Sequence, residues 1–335
     1  MRRGRPQRRY RKIILPVLAA VLVLAGVLCL LRAWELRHYQ TDRDASDDRE
    51  DSGQSQIFYR DQWYAPKENL ESILFIGLDE YEKSQTVAGY TNTQQADFLL
   101  LLVIDTEART YSALHLNRDT MTQIPVLGVG GKPAGNMQGQ LALAHTYGSG
   151  GSDSSRNTVK AVSGLLYGVK IDHYVSLTMD AVATINDAVG GVTLTVQGDF
   201  SAVDQSLIQG RTVTLSGDQA LTYVRTRKGM EDSSNLSRME RQRQYLSALK
   251  KQWDQRLKSD DGLLLDVLLR ISSSLVSDCT VERLSDMVET LQEYNFAGFL
   301  QTEGSAEVGA EFMEYHVDAD SLKQTVISLF YEPLE

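Results

Sequence analysis

SILFIGL, residues 72–78, is the first of three apolar runs of strand length that decide the fold. FLLLLVID (98–105) and YSALHLN (111–117) follow it. The first two runs are continuously apolar, which is typical of strands buried on both faces, whereas the third alternates more. The three runs therefore predict three strands, of which the first two are buried on both faces.

Further along the chain, helical and extended patterns alternate. Apolar residues at helical spacing predict helices over 157–168 and 180–191, and HYVSLTM (173–179) between them reads as a strand. GKPAGNMQGQ (131–140) is glycine-rich and predicts a loop, and an arginine-bearing helix is expected at about 238–256. This order favours an α/β fold, a central mixed sheet flanked by helices on both faces, in one domain.

The N-terminus carries a membrane-targeting pattern. Residues 1–12 hold seven basic side chains and no acidic one, and residues 13–31 are 19 uncharged, largely apolar residues. A helix of that length spans roughly 28 Å, close to the thickness of the hydrocarbon core. We expect a cytoplasmic basic tail (1–12) and one transmembrane helix (13–31) that serves as a signal-anchor in the cell membrane. A cleaved signal peptide is the rival interpretation, but no small-residue cleavage motif follows the apolar run.

The remainder of the chain should lie outside the cell and is strongly acidic. Residues 32–66 are polar and acidic without apolar periodicity, so we interpret them as a stalk, with the extracytoplasmic domain at 67–335. Without the seven basic residues of the tail, 27 of the 34 in the chain remain against 44 acidic ones, a net charge of −17. This balance argues against nucleic acid as a partner. Two cysteines, Cys29 and Cys279, are too few for a disulfide framework.

Charged residues stand at the ends of the three central strands. Asp79 follows the first, Asp97 begins the second, and Arg118 with Asp119 ends the third. A single acid in such a place is often only a cap or a turn residue. Two acids and an arginine at neighbouring strand ends point instead to a site, because open α/β sheets present their sites at strand ends.

Arginines gather in LTYVRTRKGMEDSSNLSRMERQRQYL (221–246), against the acidic average of the chain. On an extended segment, Arg225 and Arg227 would point the same way, and Arg238 shares a helix face with Gln242, four residues further on. A solvated basic helix is the alternative, which we prefer for Lys228 and Arg243. For Arg225, Arg227 and Arg238 we prefer an anion site, since guanidinium groups match phosphate oxygens and remain charged.

Taken together, ILFIGLD, QQADFLLLLVID, LNRDTMTQIP, GVKIDHYVSLTMDAVATINDAVGGVTLTV and LSGDQALTYVRTRKG…NLSRMERQRQYL resemble the LytR-CpsA-Psr family of cell-envelope proteins. The resemblance covers about residues 70–335 and includes the single N-terminal anchor. It implies an α/β domain with an apolar groove for a lipid. It also implies an Mg²⁺-dependent (or Mn²⁺-dependent) enzyme that moves a glycopolymer, such as teichoic acid or capsule, from a polyprenyl-pyrophosphate carrier to peptidoglycan.

Residue by residue, the resemblance gives the following roles. Asp79 and Asp97 would be the metal ligands. Catalysis and pyrophosphate binding would fall to four arginines, with Gln242 lining the same site: Arg118, Arg225, Arg227 and Arg238.

Two positions depart from the family's pattern. Gln95 stands where the family commonly has an arginine, and Asn235 stands where it often has an aspartate that could activate the acceptor hydroxyl. Glu231 or Asp232 could substitute as the base, so that role stays open. The departure at Asn235 favours a second hypothesis, a non-catalytic regulator that binds polyprenyl phosphates or wall polymers. Hydrolysis of the carrier pyrophosphate without transfer is a third.

Overall fold

A six-stranded mixed sheet forms the centre of the fold. Its spatial order is β11 (Leu275–Ser277), β8 (His173–Thr178), β3 (Leu70–Leu78), β4 (Ala96–Asp105), β5 (Thr110–Leu116) and β12 (Asn295–Leu300). β4 runs antiparallel to both of its neighbours, whereas β8 is parallel to β3 and β12 is parallel to β5. The three strands predicted from the apolar runs are confirmed, and they lie side by side within a sheet that is mixed as expected.

This computed structural model describes residues 56–79, 94–128, 132–227, 234–260, 262–310 and 312–334. The basic tail and the transmembrane helix predicted at 13–31 lie outside these ranges. Among the described residues, no helix has the length and apolar character needed to cross a bilayer.

Eight α-helices are described. They are α1 (Leu143–Thr146), α2 (Gly151–Leu165), α3 (Asp180–Ala188), α4 (Gly217–Arg225), α5 (Asn235–Leu257), α6 (Leu263–Ile271), α7 (Val281–Glu293) and α8 (Ala319–Phe330). A 3₁₀ turn, Ser272–Ser274, follows α6.

The helices cover both faces of the sheet, because alternate residues of a strand point to opposite faces. On one face, Leu99 and Leu101 of β4 pack in a core with side chains of α2 and α8. On the other, Leu100 and Leu102 join a core with side chains of α5, α6 and α7. β4 is therefore buried on both faces, as its continuous apolar sequence predicts.

Four smaller sheets complete the fold. They are the hairpins β6 (Met121–Leu127) with β7 (Pro133–Gln140), β9 (Val192–Thr195) with β10 (Thr212–Leu215) and β13 (Gly304–Val308) with β14 (Met313–Val317), and a three-stranded sheet of β1 (Ile57–Tyr59), β2 (Gln62–Pro66) and β15 (Tyr331–Pro333). β15 pairs antiparallel with β2, which joins the two ends of the described chain.

The predicted stalk boundary at residue 66 is wrong. β1 and β2 pair with each other, and Tyr59 and Tyr64 pack against the core beneath α8. The Tyr59 hydroxyl donates to Asp320 Oδ1 over 2.9 Å. The acidic residues that precede this segment obscured its alternating aromatic pattern, which is a strand signal.

The glycine-rich loop predicted over 131–140 is also wrong. Residues 133–140 form β7, which pairs with β6 along its whole length. Glycine lowers strand propensity, but pairing with a neighbouring strand supplies the hydrogen bonds that decide the conformation here. The change matters because β7 carries Gln140 to the candidate site.

Candidate active site

The charged residues lie together at one end of the three neighbouring strands β3, β4 and β5, and this end is called here one edge of the central sheet. β3 ends at Leu78, directly before Asp79; β4 starts beside it at Ala96, and β5 ends at Leu116, two residues before Arg118. Because β4 is antiparallel to both neighbours, the end of β3, the start of β4 and the end of β5 share this edge. The predicted juxtaposition is confirmed.

A β-bulge presents Asp97. Phe98 pairs with Gly77 and Ala96 pairs with Leu78, so Asp97 is an extra residue without a partner on β3. A bulge bends the strand and re-aims the side chain that it carries. Here it also leaves the Asp97 carbonyl available to the guanidinium group of Arg238, whose Nη2 donates to it over 3.2 Å.

Two buried arginines converge on the carboxylate of Asp97. Arg118 contacts Asp97 Oδ1 through Nη1, and Arg238 Nη1 lies 3.9 Å from Asp97 Oδ2. Arg118 also donates to Gln95 Oε1 over 2.5 Å and lies 3.2 Å from Asp119 Oδ1 through Nε. Gln95, which replaces an arginine expected from the family, thus serves as an acceptor for Arg118.

Asn235 connects α5 to the end of β5. Its Oδ1 accepts from Nε and Nη2 of Arg238 over 3.0 and 2.6 Å, and its Nδ2 donates to Asn117 Oδ1 over 2.6 Å. Asn117 Oδ1 also accepts from the Asp119 backbone amide over 3.0 Å. An aspartate could not donate to Asn117, so the asparagine at 235 suits this network. Its side chain therefore holds the guanidinium group of Arg238 in place through two hydrogen bonds.

Arg225 and Arg227 complete the cluster by a different route from the one predicted. Arg225 is the last residue of α4 and Thr226 is extended, so the i, i+2 argument for a continuous extended segment is wrong. Arg225 Nη2 nonetheless lies 3.3 Å from Asp79 Oδ1. Arg227 is close enough to Arg118 and Arg238 to lower the pKa of both.

The cluster holds more positive charge than its surroundings neutralise. Burial, together with the charges of Arg227 and Arg118, lowers the pKa of Arg238 to about 9. Burial also lowers the pKa of Arg118, an effect that the charge of Asp119 opposes. Four guanidinium groups around three carboxylates are thus under mutual repulsion, which a multiply charged anion would relieve.

Arg241 positions the segment that carries Arg225 and Arg227. It is 2% exposed and donates to the carbonyl oxygens of Tyr223 and Thr226 and to Ser237 Oγ. These bonds fix the end of α4 against α5.

Gln140 of β7 has a similar supporting role, because its Nε2 donates to Asp119 Oδ1 over 3.0 Å. Neither of these supporting roles was predicted from the sequence.

An apolar cavity of about 360 Å³ adjoins the cluster. Its wall includes Gly77, Phe98 and Val224, which lie within two residues of Asp79, Asp97 and Arg225 in the sequence. The remaining wall comes from β3, β4, β8, α3 and α5 and is almost entirely aliphatic or aromatic. The cavity is thus a place for an apolar chain whose charged end could reach the arginines.

Gln242 belongs to this wall. Its Nε2 donates to the Val224 carbonyl over 3.1 Å, and the side chain is 4% exposed. The amide donor is therefore occupied by the backbone of α4. Lys228, Glu231 and Asp232, which follow Arg227, lie outside the described residues.

Comparison with curated proteins finds related transferases. TagU from Bacillus mycoides, named a polyisoprenyl-teichoic acid–peptidoglycan teichoic acid transferase, is 27% identical over 266 residues, 79% of each chain. TagU from Halalkalibacterium halodurans is 31% identical over 181 residues, which span 54% of this chain and about half (52%) of that protein. TagV from Bacillus subtilis, another such transferase, is 29% identical over 65% of this chain and 49% of its own length.

Solved structures share the fold. A structure described as TagT bound to LI-WTA has a TM-score of 0.60 and 22% identity, covering 78% of this chain and 89% of that one. TagV of B. subtilis gives 0.59 at 23% identity, with 78% and 96% covered. A model of the LytR_cpsA_psr family matches residues 35–329, which is most of the chain. The protein therefore belongs to the LytR_cpsA_psr family.

Proposed function

We propose that this protein is a membrane-anchored phosphotransferase that moves a glycopolymer from a polyprenyl-pyrophosphate carrier to peptidoglycan. The observation that carries the proposal is the junction of two features: four arginines at one sheet edge and an apolar cavity beside them. A pyrophosphate with a long hydrocarbon tail has this combination of a multiply charged head and an apolar chain. The names of the related TagU and TagV proteins support the same class of reaction.

In the proposed complex, the arginines hold the pyrophosphate and the cavity holds the first part of the polyprenyl chain. Arg118 and Arg238 are buried, so their interaction with an anion is weakly screened by water. Arg225 is more exposed, at 41% of its side chain, and lies toward solvent, from which the acceptor must come. Fixed guanidinium groups stabilise charge on phosphoryl oxygens as it shifts to the leaving group.

The reaction is one substitution at phosphorus. A hydroxyl oxygen of peptidoglycan forms a bond to the phosphorus that carries the sugar, and the bond from that phosphorus to the bridging oxygen breaks. The bridging oxygen leaves with its electron pair as part of polyprenyl phosphate. The products are a phosphodiester between peptidoglycan and the glycan, polyprenyl phosphate, and the proton of the attacking hydroxyl.

A base at position 235 is not available for that proton. Asn235 is an amide, and its oxygen accepts from Arg238. Asp119 is buried and bonded to Arg118 and Gln140. We propose Asp232 or Glu231, just before α5, as the acceptor of the proton.

Asp79 and Asp97 fit a hard divalent cation. Both offer carboxylate oxygens at the same sheet edge, and Mg²⁺ is usually held by one or two carboxylates together with substrate phosphates. Each carboxylate is now balanced by an arginine. When bound, Mg²⁺ or Mn²⁺ would neutralise charge on the phosphate oxygens.

The anchor is the remaining part of the proposal. A transmembrane helix at 13–31 with seven basic residues before it would place the N-terminus in the cytoplasm and the enzymatic domain outside the cell. The lipid carrier lies in the same bilayer, so anchoring raises the local concentration of the donor.

Transfer is tested with the full-length protein in vesicles, a polyprenyl-pyrophosphoryl glycan, peptidoglycan and Mg²⁺. We expect acceptor-dependent release of polyprenyl phosphate, lost in Arg118→Ala and kept in Arg270→Ala. Arg270 is a matched control because it pairs with Asp266 on an exposed face of α6. If no polyprenyl phosphate is released, or Arg118→Ala is as active as the unchanged protein, the proposal fails.

The side-chain amide of Asn235 is hydrogen-bonded to Asn117 and Arg238 and is not a base. This favours a second candidate function, a regulator that binds polyprenyl phosphates or wall polymers without turnover. The same assay separates the two, since a regulator binds the donor tightly and releases nothing. Release without an acceptor would instead indicate pyrophosphate hydrolysis, either alone or as a side activity.

A further inference from the structure

A second group of ligating side chains lies at the opposite end of β8 from the cavity. His173 is the first residue of β8, and Asp278 and Cys279 directly follow β11, which pairs with β8. One ligand atom from each of the three residues lies within 4.8 Å of the others. Imidazole nitrogen, carboxylate oxygen and thiol sulfur are the three ligand types that zinc takes in proteins.

The three side chains approach one another around one oxygen of Asp278. His173 Nδ1 lies 3.6 Å from Asp278 Oδ1, and the Cys279 thiol donates a hydrogen bond to the same oxygen over 3.8 Å. Ligand atoms on a tetrahedral zinc ion are about 3.3–3.6 Å apart, given zinc bonds of about 2.0–2.3 Å. A small inward movement would therefore bring both pairs to coordination distance.

A carboxylate lies near the outer nitrogen of the His173 ring. His173 Nε2 lies 3.9 Å from Glu71 Oε1, beyond hydrogen-bond distance, and Arg283 of α7 contacts the same Glu71 oxygen. Its Nδ1 is buried without a hydrogen-bond partner. In zinc sites a carboxylate commonly orients the distal nitrogen of the histidine so that the other nitrogen faces the metal.

We propose that His173, Asp278 and Cys279 form a zinc-binding site, with Glu71 and Arg283 as supporting residues. A dication with one carboxylate and one thiolate gives a neutral centre, and three protein ligands leave the fourth position to water. The site is distinct from the carboxylates Asp79 and Asp97, which offer oxygen alone and suit a harder ion.

The backbone around the ligands is firmly placed. The Tyr174 amide donates to Asp278 Oδ1 over 3.0 Å, and Ser277 Oγ donates to the Tyr174 carbonyl over 2.7 Å. Zinc would therefore connect the edge strand β11 and the start of α7 to β8, one of the strands that line the cavity. We expect the zinc ion to stabilise this part of the domain by linking these three elements.

Binding should release a proton. Burial and the nearby charge of Asp278 raise the pKa of the Cys279 thiol to about 11. Zinc binds the thiolate form of cysteine, so each ion that binds must displace the thiol proton.

The test uses the full-length, metal-free protein in detergent, with Co²⁺ as a spectroscopic probe and Zn²⁺ as competitor. Co²⁺ should produce a thiolate-to-metal charge-transfer band that Zn²⁺ removes. The band should disappear in Cys279→Ser and persist in Cys29→Ser, the matched thiol control. Zn²⁺ should raise Tm by about 5 °C in the unchanged protein and not in His173→Gln.

A second measurement needs no substitution. Zn²⁺ should slow alkylation of Cys279 by a maleimide, read by mass spectrometry, and leave alkylation of Cys29 unchanged. The proposal is overturned if Co²⁺ gives no thiolate band, if the band survives in Cys279→Ser, or if Zn²⁺ protects neither cysteine.

Discussion

Arg118 and Arg238 contact the same carboxylate, that of Asp97, although 120 positions separate them in the chain. One comes from the end of β5 and the other from the first turn of α5. Both are buried, at 8% and 3% exposure. Removal of one partner from a buried ion pair leaves an unbalanced charge, so the three residues should behave as a unit.

Replacement of Arg238 by lysine should lower the rate of glycopolymer transfer by about 10²–10³-fold. Lysine retains the charge but cannot reproduce the bonds from Nε and Nη2 to Asn235 or the bond to the Asp97 carbonyl. The measurement is release of polyprenyl phosphate, with Arg270→Lys as the control. Equal rates in the two variants would contradict the assigned role.

Asp97→Asn should separate the two roles of this carboxylate. Without metal, binding of inorganic pyrophosphate should tighten, because Arg118 and Arg238 lose their counter-charge. Stimulation of binding by Mg²⁺ should be lost if Asp97 is a ligand. Calorimetry with and without Mg²⁺ measures both, and Asp254→Asn, in a half-buried pair with Lys250 on α5, is the control. Weaker metal-free binding in Asp97→Asn would count against this account.

Pyrophosphate affinity should fall above about pH 9. The pKa of Arg238 is about 9 in the folded protein, and a bound anion raises it, so the anion favours the protonated form. Affinity should decrease by about tenfold per pH unit between the free and the bound pKa. Arg238→Gln should bind more weakly and lack this decrease; an unchanged alkaline limb in that variant would refute the assignment.

The same shift predicts how stability changes with pH. In the unfolded chain this group has its ordinary, higher pKa, so the unfolded chain holds the proton to higher pH than the folded one. The contribution of Arg238 to the free energy of unfolding should therefore rise as the pH rises above about 9, and its burial cost is fully present below pH 9. Denaturant titrations of the unchanged protein and of Arg238→Gln measure the difference.

Gly77→Ala should destabilise the domain by about 1–3 kcal/mol. A Cβ at Gly77 would lie 2.8 Å from Phe98 Cβ, across the pair of strands next to the bulge. Gly164→Ala in α2 is the matched control, since its Cβ would meet nothing within 4 Å and alanine is the better helix former. Urea denaturation should show loss for the first and no loss for the second; equal stabilities would refute the close approach.

Val182→Trp should reduce use of the lipid donor without affecting recognition of its head group. Val182 lines the cavity on α3, and a tryptophan there would occupy much of its volume. We expect KM for a long-chain donor to rise about tenfold or more, with the Kd of inorganic pyrophosphate unchanged. Leu269→Trp, at a position 65% exposed on α6, is the control. A parallel loss of pyrophosphate binding would show that the site itself had been disturbed.

Local patterns predicted the parts of the site that lie on regular elements. The apolar runs before Asp79 and Arg118 indicated where β3 and β5 end, and the helical spacing predicted that Arg238 and Gln242 share one face of α5, where both are buried. Each of these predictions depends only on the spacing of residues within one helix or strand, which can be read directly from the sequence.

Features that depend on pairing between distant segments were missed. The bulge at Asp97 exists only in the register of β4 on β3, and the bond from Asn235 to Asn117 joins residues 118 positions apart. The apolar spacing in LLLDVLLRISSSLV (263–276) is typical of one helix, but Leu275 begins β11, where pairing with β8 overrides helical propensity. Such interactions between distant segments produce no periodic pattern in the local sequence, so the sequence alone does not reveal them.

The bond from Gln242 to the Val224 carbonyl has a consequence for selectivity among carriers. Because the Gln242 amide is already hydrogen-bonded, the cavity can bind a hydrocarbon chain through its shape and through dispersion contacts, but it offers the chain few polar contacts. An isoprenoid bound there would have no fixed register along its length. The protein should therefore accept tails of different lengths and discriminate its substrates by the charged group and the sugar attached to it.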